Sequence, residues 1–201
     1  MRSEAYPILT AGAATVRVIW DAIREKRPIV PWQKIIWFPL HIPKHSLISW
    51  MTLLDRLPTK ERLHHMGLLN DCKCVFCDDL IETRDHLFLH CSMAEYIWKS
   101  VFSLSGIQFF PCSWDSFWTR AINSWKEKSL LTSILKLALN TTIYFLWDER
   151  NKRLFQGRTK TAPELLQTIR NIVGLHLRNR NLNSNDNINI TLARNWDMCA
   201  P

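Results

Sequence analysis

Glycine is scarce in this chain, with five residues in 201 against ten tryptophans and nine phenylalanines. A fold made of tight turns and short strands is therefore disfavoured, and packed helices are expected. Cysteine is also too sparse, and too clustered at positions 72, 74, 77 and 91, for the disulfide framework of a small secreted domain. The stretch from Met1 to Pro7 has a basic residue but no apolar run and no small-residue cleavage pattern behind it. The reading is an intracellular protein, nuclear or cytoplasmic and not secreted. No segment approaches the length of an unbroken bilayer span: the most apolar, Leu130 to Trp147, is interrupted by Ser133, Lys136, Asn140, Thr141 and Thr142. A buried helix is expected there, and no membrane partner.

With 47% hydrophobic residues, the chain is long enough to bury a real core, as one large domain or two small ones. The constellation with defined chemistry is Cys74-Val75-Phe76-Cys77, followed by His86 and Cys91. Two thiolates two residues apart grip one ion from a tight turn, and an imidazole with a third thiolate completes a tetrahedron. Zinc is the natural occupant, and with no position left for water its role is structural. His86 and Cys91, five positions apart, suit a short helical turn closing over the ion. The competing readings are a redox dithiol, which needs a strand-helix-strand setting absent here, and unrelated buried thiols. Ligand identity stays open at this level, because Cys72 and His90 are near enough in sequence to replace Cys74 and either His86 or Cys91.

The surroundings add further motifs. Upstream stand Trp32 to Trp37, then Ile42-Pro43-Lys44-His45 with Trp50, then Arg56-Leu57-Pro58-Thr59-Lys60-Glu61-Arg62-Leu63; downstream come Glu82-Thr83, His86-Leu87-Phe88, Cys91 and Trp98. This ordered series, over residues 13–104, resembles the reverse-transcriptase zinc-binding domain at the carboxyl end of non-LTR (LINE-type) retroelement polyproteins, abundant in plants. A weaker resemblance continues through Trp147-Asp148-Glu149-Arg150-Asn151-Lys152-Arg153-Leu154-Phe155. The resemblance implies zinc ligation by Cys74, Cys77, His86 and Cys91, and a detached, domesticated or decaying piece of such a polyprotein.

Catalysis is not expected. Phosphoryl transfer needs carboxylates paired on a hairpin to hold two metal ions, and the adjacent pair Asp78-Asp79 sits inside the metal loop without flanking apolar runs, as a solvated turn. The net charge of +8 is uneven: residues 150–201 hold nine Lys/Arg against three Asp/Glu, whereas residues 1–149 hold 17 against 15. The metal loop is acidic through Asp71, Asp78, Asp79, Glu82 and Asp85, so phosphates would be repelled there. RNA or DNA is the expected partner, met by Arg56, Lys60, Arg62, Arg150, Lys152 and Arg153 on flanking helices, with low sequence selectivity because such contacts reach phosphates. The plainer reading of Arg56, Lys60 and Arg62 is a solvated face, and the rival function is a zinc-braced helical module that presents an aromatic groove to a protein partner.

The fold class expected is mainly α: a helical domain around a small zinc-knuckle-like loop, followed by an antiparallel helical pair. Its parts are a flexible start (1–12), the zinc-binding domain (13–104), a C-terminal helical region (105–178) and an Asn-rich disordered tail (179–201). Val16, Ile19, Trp20 and Ile23 predict a helix of about three turns ending before Pro28. A short helix from Pro31 through Trp37 follows, then one from Pro43 to about Asp55 that is apolar nearly all round and central to the core. Thr59 is placed to cap a short helix. Ser92/Glu95 and Thr161/Glu164 have the spacing of capping boxes. Trp114, Trp118 and Trp125 recur at helical intervals, a stripe that reads as core before base-stacking platform. Ser113 and Ser129 open two further helices, the second running to near Gly157.

Overall fold

Caps and breakers set the helix limits in the computed structural model, which describes residues 15–24, 28–178 and 186–198. The chain divides into two units, residues 1–30 and residues 31–201. The first contains α1 (Val16–Ile23). It is a turn shorter than the apolar spacing predicts, because Thr15 makes no side-chain cap and Arg24 is already extended; so short a helix has little intrinsic stability. Val16, Trp20 and Ile23 are exposed. The flexible start expected over residues 1–12 lies outside the described residues.

In the second unit the elements are α2 (Gln33–Ile36), α3 (Pro43–Leu53), α4 (Lys60–His65), a π-helical turn (His86–His90), α5 (Ser92–Leu104), α6 (Trp114–Ser124), α7 (Leu130–Gln156), α8 (Ala162–Leu177) and α9 (Asn187–Asn195). The protein is mainly helical. Among the described residues β pairing is confined to an isolated bridge between Lys73 and Ile81, in the metal loop.

Six other elements of this unit are arranged around α7. Ser129 caps its start by accepting the Thr132 amide at 3.1 Å, and Gly157 ends it at φ 62°, a left-handed position that glycine takes without strain. It packs against α2, α3, α5, α8, α9 and the π turn, and Ile134, Leu137, Leu139, Ile143 and Leu146 are fully buried. By length and composition α7 is sufficient to cross a bilayer, which corrects the reading that no segment approaches that length; within the fold 67% of its apolar window is buried. Of the polar residues that seemed to interrupt it, Lys136, Asn140, Thr141 and Thr142 are buried, and two of them bond to neighbouring helices or loops. Asn140 Nδ2 donates to the carbonyls of Ile35 and Lys136 at 3.1 and 2.8 Å, and Thr141 Oγ1 meets His45 Nδ1 at 3.2 Å.

That contact identifies the buried face of α3, which is not its apolar one. His45, Ser46, Ser49 and Thr52 are buried while Leu47 and Trp50 are exposed. Small polar side chains let α3 lie close against α7, with Ser46 Oγ donating to the Ile36 carbonyl at 2.8 Å and Thr52 Oγ1 to the Ile48 carbonyl at 2.8 Å. Apolar density does not decide orientation when a residue every three or four positions is small.

α8 follows α7 after a short connection and packs along it. Its capping box is formed: Thr161 Oγ1 accepts the Glu164 amide at 3.4 Å, and a Glu164 carboxylate oxygen accepts the Thr161 amide at 2.7 Å. Ser113 caps α6 through the Ser116 amide. Trp114, Trp118 and Trp125 are all buried, so the stripe is core. The tail expected to be disordered over 179–201 is corrected over part of its length: Asp186 caps α9 through the Ile188 amide at 2.9 Å. Leu192, Ala193, Trp196 and Met198 are buried. Four apolar residues within seven positions outweigh the asparagine content. Residues 179–185 and 199–201 lie outside the described residues.

Candidate metal centre

The metal loop is built by backbone hydrogen bonds before any ion is considered. The Cys74 amide donates to the Leu80 carbonyl, and the Glu82 amide to the Cys72 carbonyl, both at 2.8 Å. Within the resulting hairpin, the Asp78 amide closes a turn on the Cys74 carbonyl at 2.8 Å. Asp78 sits at φ 55°, a left-handed position that aspartate tolerates better than most residues. The turn puts Cys74 and Cys77 on one side, and the Phe76 amide points at Cys74 Sγ at 3.4 Å.

The other half comes from the π turn. In an α-helix, residues five apart lie about 140° apart around the axis, which would aim His86 and Cys91 in different directions. Here the Cys91 amide donates to the His86 carbonyl at 2.7 Å, an i to i+5 closure that carries position 91 back toward position 86. Thr83 Oγ1 accepts the His86 amide at 3.0 Å. Trp98 Nε1 donates to the Phe88 carbonyl at 2.7 Å, fixing the turn to α5. Cys91 is itself the N-cap residue of α5. Ser92 therefore forms no capping box with Glu95, whose carboxylate pairs instead with Lys99 at 2.7 Å.

The four ligand atoms of Cys74, Cys77, His86 and Cys91 all lie within 4.8 Å of one another. Cys74 and Cys91 Sγ are 3.9 Å apart, and Cys77 Sγ is 3.3 Å from His86 Nε2. A tetrahedral zinc with usual bond lengths needs about 3.8 Å between sulfurs and about 3.6 Å between sulfur and nitrogen, so the residues fit that ion. Cys72 and His90 are outside the cluster; Cys72 directs its carbonyl to the hairpin, and His90 is exposed.

Without a cation, the protonation balance divides the cluster. The hydrogen bond that Cys74 donates to Cys91, and then burial, raise the Cys74 thiol above its ordinary value. The same bond lowers Cys91, helped by the Met93 amide. Burial, then the neighbouring His90, lowers His86, favouring the neutral imidazole that a metal needs. A divalent cation among three sulfurs would reverse the Cys74 shift, because coordination displaces the thiol proton.

Residues 15–98 match the family described as zinc-binding in reverse transcriptase. By this match the segment is similar to a reverse-transcriptase zinc-binding domain. It includes all four cluster residues, ends within α5 and covers less than half of the chain. No curated protein and no solved structure matches the chain.

Beneath the metal loop lies Glu82, a group whose role the sequence does not reveal. Glu82 is 0% exposed and Arg150 on α7 is 1% exposed. Arg150 Nε and Nη2 donate to Glu82 Oε1 at 3.0 and 2.8 Å. The same oxygen accepts the Lys60 amide at 2.8 Å, and Oε2 accepts the Val75 amide at 3.4 Å. The carboxylate thus joins the knuckle, the start of α4 and the central helix. It also supplies the N-terminal cap expected from Thr59, whose hydroxyl makes no cap bond. The signal was the Arg150 segment itself, which resembled the same family at a distance in sequence.

Of the six cations expected to face phosphates, Arg150 is corrected by its burial, and four others are held in ion pairs. Arg150 is buried in the ion pair and stands 4.8 Å from the Trp147 ring centroid. Arg153 binds Glu149 at 2.9 Å and covers the ring of Phe76 in the knuckle at 5.0 Å. Lys60 is buried and paired with Asp71 at 2.7 Å. Lys152 pairs with Asp148 at 2.6 Å and Arg62 with Asp55 at 3.6 Å. Arg56 is exposed, without an ion pair among the described residues. Helical position told these residues apart poorly because acidic partners lay from four to 68 residues away.

Proposed function

We propose that Cys74, Cys77, His86 and Cys91 hold one structural zinc ion, and that the helical module so braced binds nucleic acid without catalysing a reaction. The observation that carries the zinc reading is the convergence of three sulfurs and one imidazole nitrogen at tetrahedral spacing. A closed set of four protein ligands leaves no position for an activated water. The zinc-binding domain of reverse transcriptases is an accessory element, and we read this chain as that element of a LINE-type retroelement polyprotein, plant in origin, acting on RNA or DNA.

The net charge of +8 supports a polyanionic partner, and the acidic metal loop supports contact away from the ion. Selectivity for base sequence is low where lysines and arginines meet phosphates. The test is metal analysis of the purified chain followed by a salt titration of its binding to single-stranded and duplex nucleic acid. One zinc per chain, with affinity falling steeply as salt rises, is the expected result. No affinity at low salt would transfer the function to protein binding, and no zinc would remove the brace.

A further inference from the structure

Four lysines without carboxylate partners converge on one cavity, far from the metal loop in sequence. The cavity, about 520 Å³, is lined by Lys34 and Trp37 from the α2 region, by Lys126 and Lys128 from the α6–α7 connection, and by Thr132 and Lys136 from α7. Glu127 is the acidic residue in its wall. None of the four lysines forms a salt bridge among the described residues, in contrast to Lys60, Lys99 and Lys152.

Lys136 is the informative member. It is only 9% exposed, and its ammonium has neither a carboxylate nor a hydrogen-bond acceptor among the described residues. Burial, and then the like charge of Lys34, lowers its pKa. The Lys136 ammonium opens into the cavity beside a second lysine, where an anion is favourable to both. Trp37, 38% exposed, stands in the same wall, its ring edge-to-face with His41 at 5.5 Å. The cavity has the size of a small-ligand site, which admits a base and its phosphate and excludes a duplex.

We propose that this cavity takes one nucleotide unit of a single-stranded nucleic acid, its base against Trp37 and the phosphates on either side of it on Lys34, Lys126, Lys128 and Lys136. The inference rests on the nucleic-acid reading above and gives it a place on the fold. Lysines on α2, on the α6–α7 connection and on α7 reach successive phosphates of a strand, whereas the single phosphate of a free nucleotide engages only part of the set. An exposed aromatic beside a basic groove is the arrangement that accepts unstacked bases without selecting among them.

The test is fluorescence anisotropy of a labelled oligouridylate with the full chain at low salt. Lys128→Glu and Lys136→Met each weaken binding about tenfold or more, and removing one phosphate-binding cation lowers the salt slope by about 0.7. Trp37→Ala weakens oligouridylate about tenfold but leaves the affinity for an abasic oligomer unchanged. Lys99→Glu on α5 binds as the parent does. Since Lys128 is exposed, its variant remains informative even if Lys136→Met fails to fold. Parent binding that is unchanged in the Lys128 and Trp37 variants overturns the cavity and leaves the nucleic-acid reading standing. Uridine monophosphate binding as tightly as the strand overturns the strand as ligand. A parent chain that binds no strand at low salt overturns both.

Discussion

Glu82 and Arg150, 68 positions apart, form an ion pair shut off from solvent between the metal loop and the central helix. Four donors reach the carboxylate: the Arg150 Nε and Nη2 groups and the Lys60 and Val75 amides. Removing one partner leaves the other charge buried and unpaired, at a cost of about 3–5 kcal/mol. Arg150→Met should therefore lower unfolding free energy by that amount in urea titrations. Adding Glu82→Gln should recover part of the loss, since a neutral amide no longer needs a cation. A double variant as unstable as the sum of the two single ones would contradict the pairing.

Ligand choice separates four residues from two. His86→Ala and Cys77→Ser should abolish zinc stoichiometry and lower the melting temperature, because binding energy in a closed loop is also folding energy. Cys72→Ser and His90→Ala should leave the metal content at one per chain. Zinc loss in Cys72→Ser with retention in Cys77→Ser would move the ligand set.

Much of the helical frame was legible from proline, glycine and capping residues: Ser113, Ser129, Gly157 and the Thr161/Glu164 box stand where their local chemistry puts them. The metal cluster was legible too, as a spacing. What escaped depends on distant partners. The buried face of α3 is set by the fit of Ser46 and Ser49 under α7. The cap of α4 comes from Glu82, twenty-two positions on. Arg150 and Arg153 read as phosphate contacts until Glu82, Glu149 and Phe76 are seen beside them. Charge on a helix is visible in sequence, but its neutralisation by another element is not.

Gly174 offers a test of the C-terminal docking. A Cβ at this position would lie 2.1 Å from the Trp196 carbonyl oxygen, so α9 can approach α8 only over a glycine. In an isolated helix Gly→Ala stabilises by about 1 kcal/mol; here Gly174→Ala should destabilise by about 1–3 kcal/mol through overpacking. Hydrogen exchange should show residues 187–198 losing protection first. An unchanged exchange pattern would mean that α9 is seated otherwise.

His45 gives the stability a pH dependence. Burial, followed by the charges of Lys44 and His176, lowers its pKa from 6.5 to about 4, while its ring stacks on Tyr144 at 4.2 Å. The unfolded chain takes up this proton near 6.5 and the folded one resists it. The contribution is therefore complete above pH 6.5 and is lost as pH falls toward 4, about 3 kcal/mol in all. His45→Gln keeps a polar partner for Thr141 without the titration. The difference in unfolding free energy between parent and variant should narrow over that interval, and a pH-independent difference would count against the assignment.

The proposed centre is one zinc ion in a closed set of three sulfurs and one nitrogen. X-ray absorption at the zinc edge of the purified chain reads that shell directly. Three sulfurs at about 2.3 Å and one nitrogen at about 2.0 Å are predicted, unchanged by Cys72→Ser. An oxygen in the first shell, or a chain that purifies folded and metal-free, would contradict it.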